Sequence, residues 1–285
     1  MSFHQPPVTF VSKVSLKVQS LERSLAFYQE VIGLKVYEKT DNSALLTADG
    51  KTVLLNIEQP SDVIPKKGRT TGLYHFALLL PNRSDLAKIL KHFLQTGYPL
   101  QGASDHLVSE ALYLADPDGN GIEIYTDRPA SEWEWNEQHV VMATQALDAE
   151  DLLAEGADQS WNGLPEGTVM GHIHLHVAEL AKTEEFYTKG LGFEVVSRYG
   201  PQALFISSGK YHHHIGLNTW NGAGAPKPSA NSVGLESYTL VLADEGNLKN
   251  TVNRLRGIGA AVEEAKGIFI TEDPSGNRIR LETAK

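Results

Sequence analysis

Apolar residues alternate along four short stretches: Val14-Leu16-Val18, His75-Ala77-Leu79, Ile173-Leu175-Val177 and Tyr238-Leu240-Leu242. A period of two marks a strand with one face buried. After the second stretch, Leu86, Ile89, Leu90 and Phe93 fall on one face of a helix, and Gly97 supplies its stop. Leu248, Val252 and Leu255 repeat that pattern before Gly257 and Gly259. Shorter strands and a tight turn follow. Asp116-Pro117-Asp118-Gly119-Asn120 and Asp273-Pro274-Ser275-Gly276-Asn277 are turn chemistry, because Pro fixes φ while Gly and Asn tolerate positive φ. The pattern predicts four βαβββ modules, at about 11–58, 72–127, 169–219 and 234–283.

The modules form a repeat. Ser24-Leu25-Ala26-Phe27-Tyr28 with Ile32-Gly33-Leu34 returns as Thr183-Glu184-Glu185-Phe186-Tyr187 with Leu191-Gly192-Phe193. The chain therefore divides into a first half of two modules (1–127), a connection (128–168) and a second half of two modules (169–285). The connection is long for a compact domain and leaves open which modules pair. Residues 146–155 are expected to form a short helix there. Trp133, Trp135 and Trp161 are expected to anchor the connection by packing. Phe27-Tyr28 and Phe186-Tyr187 read as helical core, and the Asp116 turn as a turn alone.

Composition narrows the chemistry. The chain has 285 residues, 41% apolar and 21% charged, with no cysteine. Disulfides, thiolate metal sites and cysteine nucleophiles are thereby excluded. A formal net charge of -10 argues against nucleic acid as a partner. No apolar run approaches the ~20 residues that cross a bilayer, so no membrane partner is expected. Residues 1–10 carry no basic stretch followed by an apolar core, so the expected location is the cytoplasm.

One motif is far more demanding than the rest. His106, Leu112-Tyr113, Asp116-Pro117, Gly119 and Glu123 stand at spacings that resemble the extradiol dioxygenase signature, with Ser104 departing at one flanking position. With the four βαβββ modules, this makes the chain similar to the vicinal-oxygen-chelate superfamily, which includes glyoxalase I, extradiol dioxygenases and antibiotic-resistance binding proteins. The resemblance covers nearly the whole chain outside the connection. It implies an α+β fold in which modules pair into two half-open mixed β-barrels with helices outside, and a metal held inside a barrel by first and last strands.

The resemblance also implies roles. Glu123 matches the carboxylate ligand, and His75, at the start of the first strand of the same module, a ligand imidazole. The second ligand imidazole belongs on the first strand of a partner module, where Gly171-His172 matches. His174 and His176 share the parity of His172 and stay open on residue pattern alone. His106 and Tyr113 match the residues that bond substrate or oxygen. The run Tyr211-His212-His213-His214-Ile215-Gly216 resembles the strand bearing the acid–base histidine, which places His213 in that role with His212 and His214 as near misses. Two imidazoles and one carboxylate on one face of an ion suit non-haem Fe(II), with Mn(II) as the alternative.

Modules one and four depart from the pattern. Lys13 stands where a ligand histidine would be, Ser237 at the equivalent of His75, and Arg280 at the equivalent of Glu123. The intact pieces lie in modules two and three, which must then meet within one chain or between two copies in a homo-oligomer. The expected activity is extradiol cleavage of a catechol-like ring with O2. A glyoxalase-like isomerase is the first alternative, but it would want a second carboxylate near Gly216, where none stands. A metal-free binding protein is the second alternative, and it would lack the ligand set present here.

Overall fold

The computed structural model describes residues 3–156, 160–265 and 267–284. Each module is a βαβββ unit, and the units assemble into two curled mixed sheets. One sheet, of eight strands, joins the module that begins at Phe10 to the one that begins at Gly234. The other, of nine strands, joins the module that begins at Gly72 to the one that begins at Val169. Modules two and three thus meet within one chain.

The centre of the second sheet is the antiparallel pair Gly72–Leu79 and Val169–His176. The last strand of each module flanks its own first strand in parallel: Gly121–Asp127 beside the first, Ile215–Asn218 beside the second. Alternation gives each central strand two different faces. Phe76, Leu78, Ile173 and Leu175 point into the main core with Ile122 and Ile124. His75, Ala77, His172 and Glu123 lie on the opposite, concave side and are also buried.

The helices form where the spacing predicts. Arg83–Thr96 starts on an Asn82 cap and ends at Gly97, whose φ of 68° is the left-handed conformation that lets the chain leave a helix. Leu86, Ile89, Leu90 and Phe93 are buried beneath it. Helix Glu245–Gly257 buries Leu248, Val252 and Leu255 in the same way. The helices Leu21–Ala26 and Leu180–Glu185 each continue into a π-helical turn that carries buried Phe27-Tyr28 or Phe186-Tyr187.

Two expectations need correction. The connection's helix runs over Ala149–Glu155 rather than from 146, because the Asp148 side chain accepts from the Asp151 amide and sets the start there. Residues 157–159 of the connection lie outside the described residues. The Asp116 turn is more than a turn. Its carboxylate is buried and accepts from the Asp118 and Asn120 amides, from Asn120 Nδ2, and from the Tyr28 hydroxyl at 2.9 Å. Tyr28 belongs to module one, so this turn ties one sheet to the other. Tyr187 reaches Asp273 at 3.2 Å in the corresponding place. Trp133 is buried against Phe3 and Tyr211, and Trp161 stacks on His92, so both pack as expected.

Candidate metal centre

The concave face of the nine-stranded sheet encloses a cavity of about 480 Å³. Three side chains meet at its floor: His75 and Glu123 line it, and His172 is buried against Glu123. His75, Glu123 and His172 each bring one donor atom, and the three atoms lie within 4.8 Å of one another. Strand register explains the meeting. Ala77 is the cross-strand partner of both Glu123 on one side and His172 on the other. Strands stand about 4.8 Å apart, so Glu123 and His172 begin two strands apart and reach over Ala77 toward each other. Its single methyl group leaves the room. His75 lies two residues before Ala77 on the same face and completes the group.

Glu123 Oε2 is 3.1 Å from His172 Nε2 and 3.0 Å from His75 Nε2. Only the first contact has hydrogen-bond geometry; His75 Nε2 is buried without a hydrogen-bond partner. Donors at neighbouring positions of an octahedral ion with ~2.1 Å bonds stand about 3 Å apart. Burial alone would raise the Glu123 carboxyl, but the two histidines outweigh it and hold it well below the usual carboxylate range. Burial takes His172 down to about 4 against the opposing pull of Glu123. At neutral pH an ionised carboxylate therefore faces a neutral imidazole, and among the described residues no lysine or arginine pairs with it. A buried charge needs a counter-charge, and a divalent cation among these donors supplies one. The residues present fit a metal.

His172, rather than His174 or His176, joins the triad. A register irregularity between Met170 and His172 sets its place, and Gly171 sits inside it. A Cβ on Gly171 would lie 2.0 Å from Tyr125 Oη. The glycine before the ligand-position histidine is therefore a steric requirement. His174 rests its ring on Gly216, and His176 Nδ1 bonds Asn218 Oδ1 at 2.7 Å.

The three consecutive histidines divide. His214 is turned away, with Nε2 donating to the Phe3 carbonyl at 2.9 Å. His212 bonds Asp127. His213 lines the cavity, its ring centroid 4.1 Å from that of His172. Burial, then His172 and His212, pushes His213 well below the usual imidazole range.

His106 and Tyr113 line the same cavity. His106 Nδ1 lies 2.7 Å from the Ala143 carbonyl, which can only accept, so this nitrogen carries the proton. In the neutral ring Nε2 then accepts from the Tyr113 hydroxyl at 2.6 Å. Burial, and next the Glu123 charge, pushes that hydroxyl well above its usual range, so it remains protonated. Tyr74 and Trp220, half-exposed and edge-on to each other, stand at the cavity wall with Phe205. Sequence reasoning missed Ala77, Tyr125 and Asp127, because no local motif marks them.

In the other sheet Lys13 pairs with Thr239, and Thr239 with Arg280. These are the positions of His172, Ala77 and Glu123, so that sheet presents two cations where the first presents candidate ligands.

The chain is 49% identical to the catechol-2,3-dioxygenase of Bacillus subtilis over 93% of this chain and 94% of that protein. It is 25% identical to the 2,2',3-trihydroxybiphenyl dioxygenase of Sphingomonas paucimobilis over 70% and 61%. Glyoxalase I of Zea mays shares the fold, with a TM-score of 0.60 at 16% identity over 96% of this chain and 92% of that one. The model of the Glyoxalase/Bleomycin resistance protein/Dioxygenase superfamily matches residues 11–124 and 169–281. The chain belongs to the Glyoxalase/Bleomycin resistance protein/Dioxygenase superfamily.

Proposed function

We propose that the protein is an extradiol dioxygenase that opens catechol-type rings with O2, using Fe(II) held by His75, His172 and Glu123, with Mn(II) as the alternative ion. The observation that carries this reading is the convergence of those three donors beside a cavity that His75, Glu123, His213, His106 and Tyr113 line. The 49% identity to a catechol-2,3-dioxygenase supports it. One carboxylate in the triad, rather than two, favours it over an isomerase of the glyoxalase type. The intact ligand set disfavours a metal-free binding protein.

Bound there, Fe(II) would supply the electron transfer between diol and O2 that paired-electron organic substrates otherwise resist. The chain's own residues do the rest. The aromatic and apolar wall accepts a flat ring and excludes water. His213 takes a proton from one diol hydroxyl and later returns it. Tyr113 turns its hydroxyl proton from His106 Nε2 toward an oxygen of the substrate, which orients the diol and stabilises charge as it builds there. The reading places the protein in aromatic-ring breakdown, in the cytoplasm.

The test is oxygen uptake by iron-loaded protein given catechol. Uptake should vanish in Glu123→Ala and fall roughly 10²–10⁴-fold in His213→Ala. Uptake that is the same in Glu123→Ala as in the unaltered protein would sink the reading.

A further inference from the structure

His213 lines the cavity, and its Nδ1 is engaged by His212. Behind it runs a line of contacts, Asp127 to His212 to His213. His212 Nε2 lies 2.8 Å from Asp127 Oδ1, and His212 Nδ1 lies 2.8 Å from His213 Nδ1. A carboxylate only accepts, so His212 Nε2 carries a proton. In neutral His212 the opposite nitrogen is a lone pair. The proton in the contact between the two rings then belongs to His213 Nδ1. His213 Nε2 is left with a lone pair, on a ring that lines the cavity. Among the described residues nothing hydrogen-bonds that nitrogen.

The line is held firmly. Asp127 ends the strand Gly121–Asp127 that also carries Glu123. The Tyr211 hydroxyl donates to Asp127 Oδ1 at 3.2 Å, and the Tyr125 hydroxyl in turn donates to Tyr211 at 2.7 Å. His212 is fully buried, with its ring 5.2 Å from Trp133 and 4.0 Å from Tyr211. Tyr125 is the ring that forbids a side chain at Gly171. The same network therefore sets the place of His172 and reaches the back of His213.

We propose that Asp127 and His212 are positioning residues that hold His213 in the tautomer with Nδ1 protonated and Nε2 open to the substrate. The role of His213 as acid–base rests on the proposed dioxygenase activity, whereas the tautomer does not. The line also gives a transferred proton somewhere to go. When a diol hydroxyl gives its proton to His213 Nε2, the proton on His213 Nδ1 crosses to His212 Nδ1. The diol becomes a monoanion, and His212 becomes an imidazolium against the Asp127 carboxylate. His213 ends neutral, with its proton on Nε2 facing the substrate.

The test is long-range 1H–15N correlation on histidine-labelled full-length protein at pH 7.5, metal-free and loaded with diamagnetic Zn(II). The unaltered protein should show His213 with Nδ1 protonated and Nε2 bare. His212→Leu removes the acceptor and should move His213 to the other tautomer or a mixture. His212→Asn keeps an oxygen near the Nδ1 position and should preserve the original tautomer, which also guards against a leucine variant that does not fold. With iron and catechol, His212→Leu should lower kcat roughly 10²-fold with little change in KM, and His212→Asn should recover part of it. Finding Nε2 protonated in the unaltered protein, or the original tautomer preserved in folded His212→Leu, would overturn the proposal. The predicted tautomers in a protein without dioxygenase activity would uphold the positioning and defeat the functional reading instead.

Discussion

The ring of Tyr125 stands where a side chain on Gly171 would be. A Cβ there would meet Oη at 2.0 Å and two ring carbons at 2.6 Å. Both partners are rigid, one a backbone and one a buried aromatic ring, so neither yields cheaply. Gly171→Ala should destabilise the protein by about 1–3 kcal/mol, as overpacking does. It should also weaken metal binding, because His172 follows directly. Chemical denaturation and metal titration check this, and Gly171→Ala combined with Tyr125→Ala should recover part of the loss. Unchanged stability and metal affinity in Gly171→Ala would contradict the arrangement.

Ala77 separates Glu123 from His172 in the sheet, and both side chains reach over it. A larger residue there fills the space in which their donor atoms meet. Ala77→Leu should leave the sheet intact yet bring metal content far below one ion per chain, while Ala77→Gly should keep the ion. Elemental analysis of the two variants decides the matter. A stoichiometric ion in Ala77→Leu would show that the three side chains do not need this gap.

The buried histidines predict a pH dependence of stability. Burial lowers His4, His172, His174, His176, His213 and His214 below 6.5, with His172 and His176 at about 4. These groups are neutral in the fold and protonate first in the unfolded chain. Below 6.5 the unfolded state therefore binds more protons, and stability falls as pH drops toward 4. Each such histidine contributes up to about 1.4 kcal/mol per pH unit across its window. The urea midpoint of metal-free protein should be level above pH 7 and fall steeply from pH 6.5 to 5. A midpoint unchanged over that range would contradict the burial of these rings.

Tyr28 donates to the buried Asp116 across two modules. Tyr28→Phe removes that donor while keeping the ring, and should cost about 1.5–3 kcal/mol, the range for a hydrogen bond to a charged group. Denaturation should show one cooperative transition at a lower midpoint. A midpoint equal to that of the unaltered protein would mean that the tie contributes nothing.

Much of this was legible before the structure, and the reason is local. Period-two alternation identified the central strands because one face of each strand is apolar core. Gly97 and the spacing from Leu86 to Phe93 gave a helix with its end, since a left-handed exit favours glycine. The candidate histidines and Glu123 could be named from the resemblance of their motifs to the extradiol dioxygenase signature, whereas residue pattern alone leaves His172, His174 and His176 open. What stayed hidden depends on register between distant strands. Ala77 is an ordinary strand alanine until Glu123 and His172 are seen on either side of it. Asp127 is a polar strand end until His212, far along the chain, lies against it. Asp116 reads as a turn in the sequence because its one long-range partner among the described residues, Tyr28, lies in another module.

Product analysis decides whether the protein opens catechol rings. Protein purified without oxygen, loaded with Fe(II) and mixed with catechol and O2 should yield a yellow hydroxymuconic semialdehyde, with both oxygen atoms of O2 in the product. Glu123→Ala and His172→Ala should yield none. If iron-loaded protein consumes no oxygen and forms no ring-opened product with catechol, methylcatechol or dihydroxybiphenyl, the extradiol account is wrong.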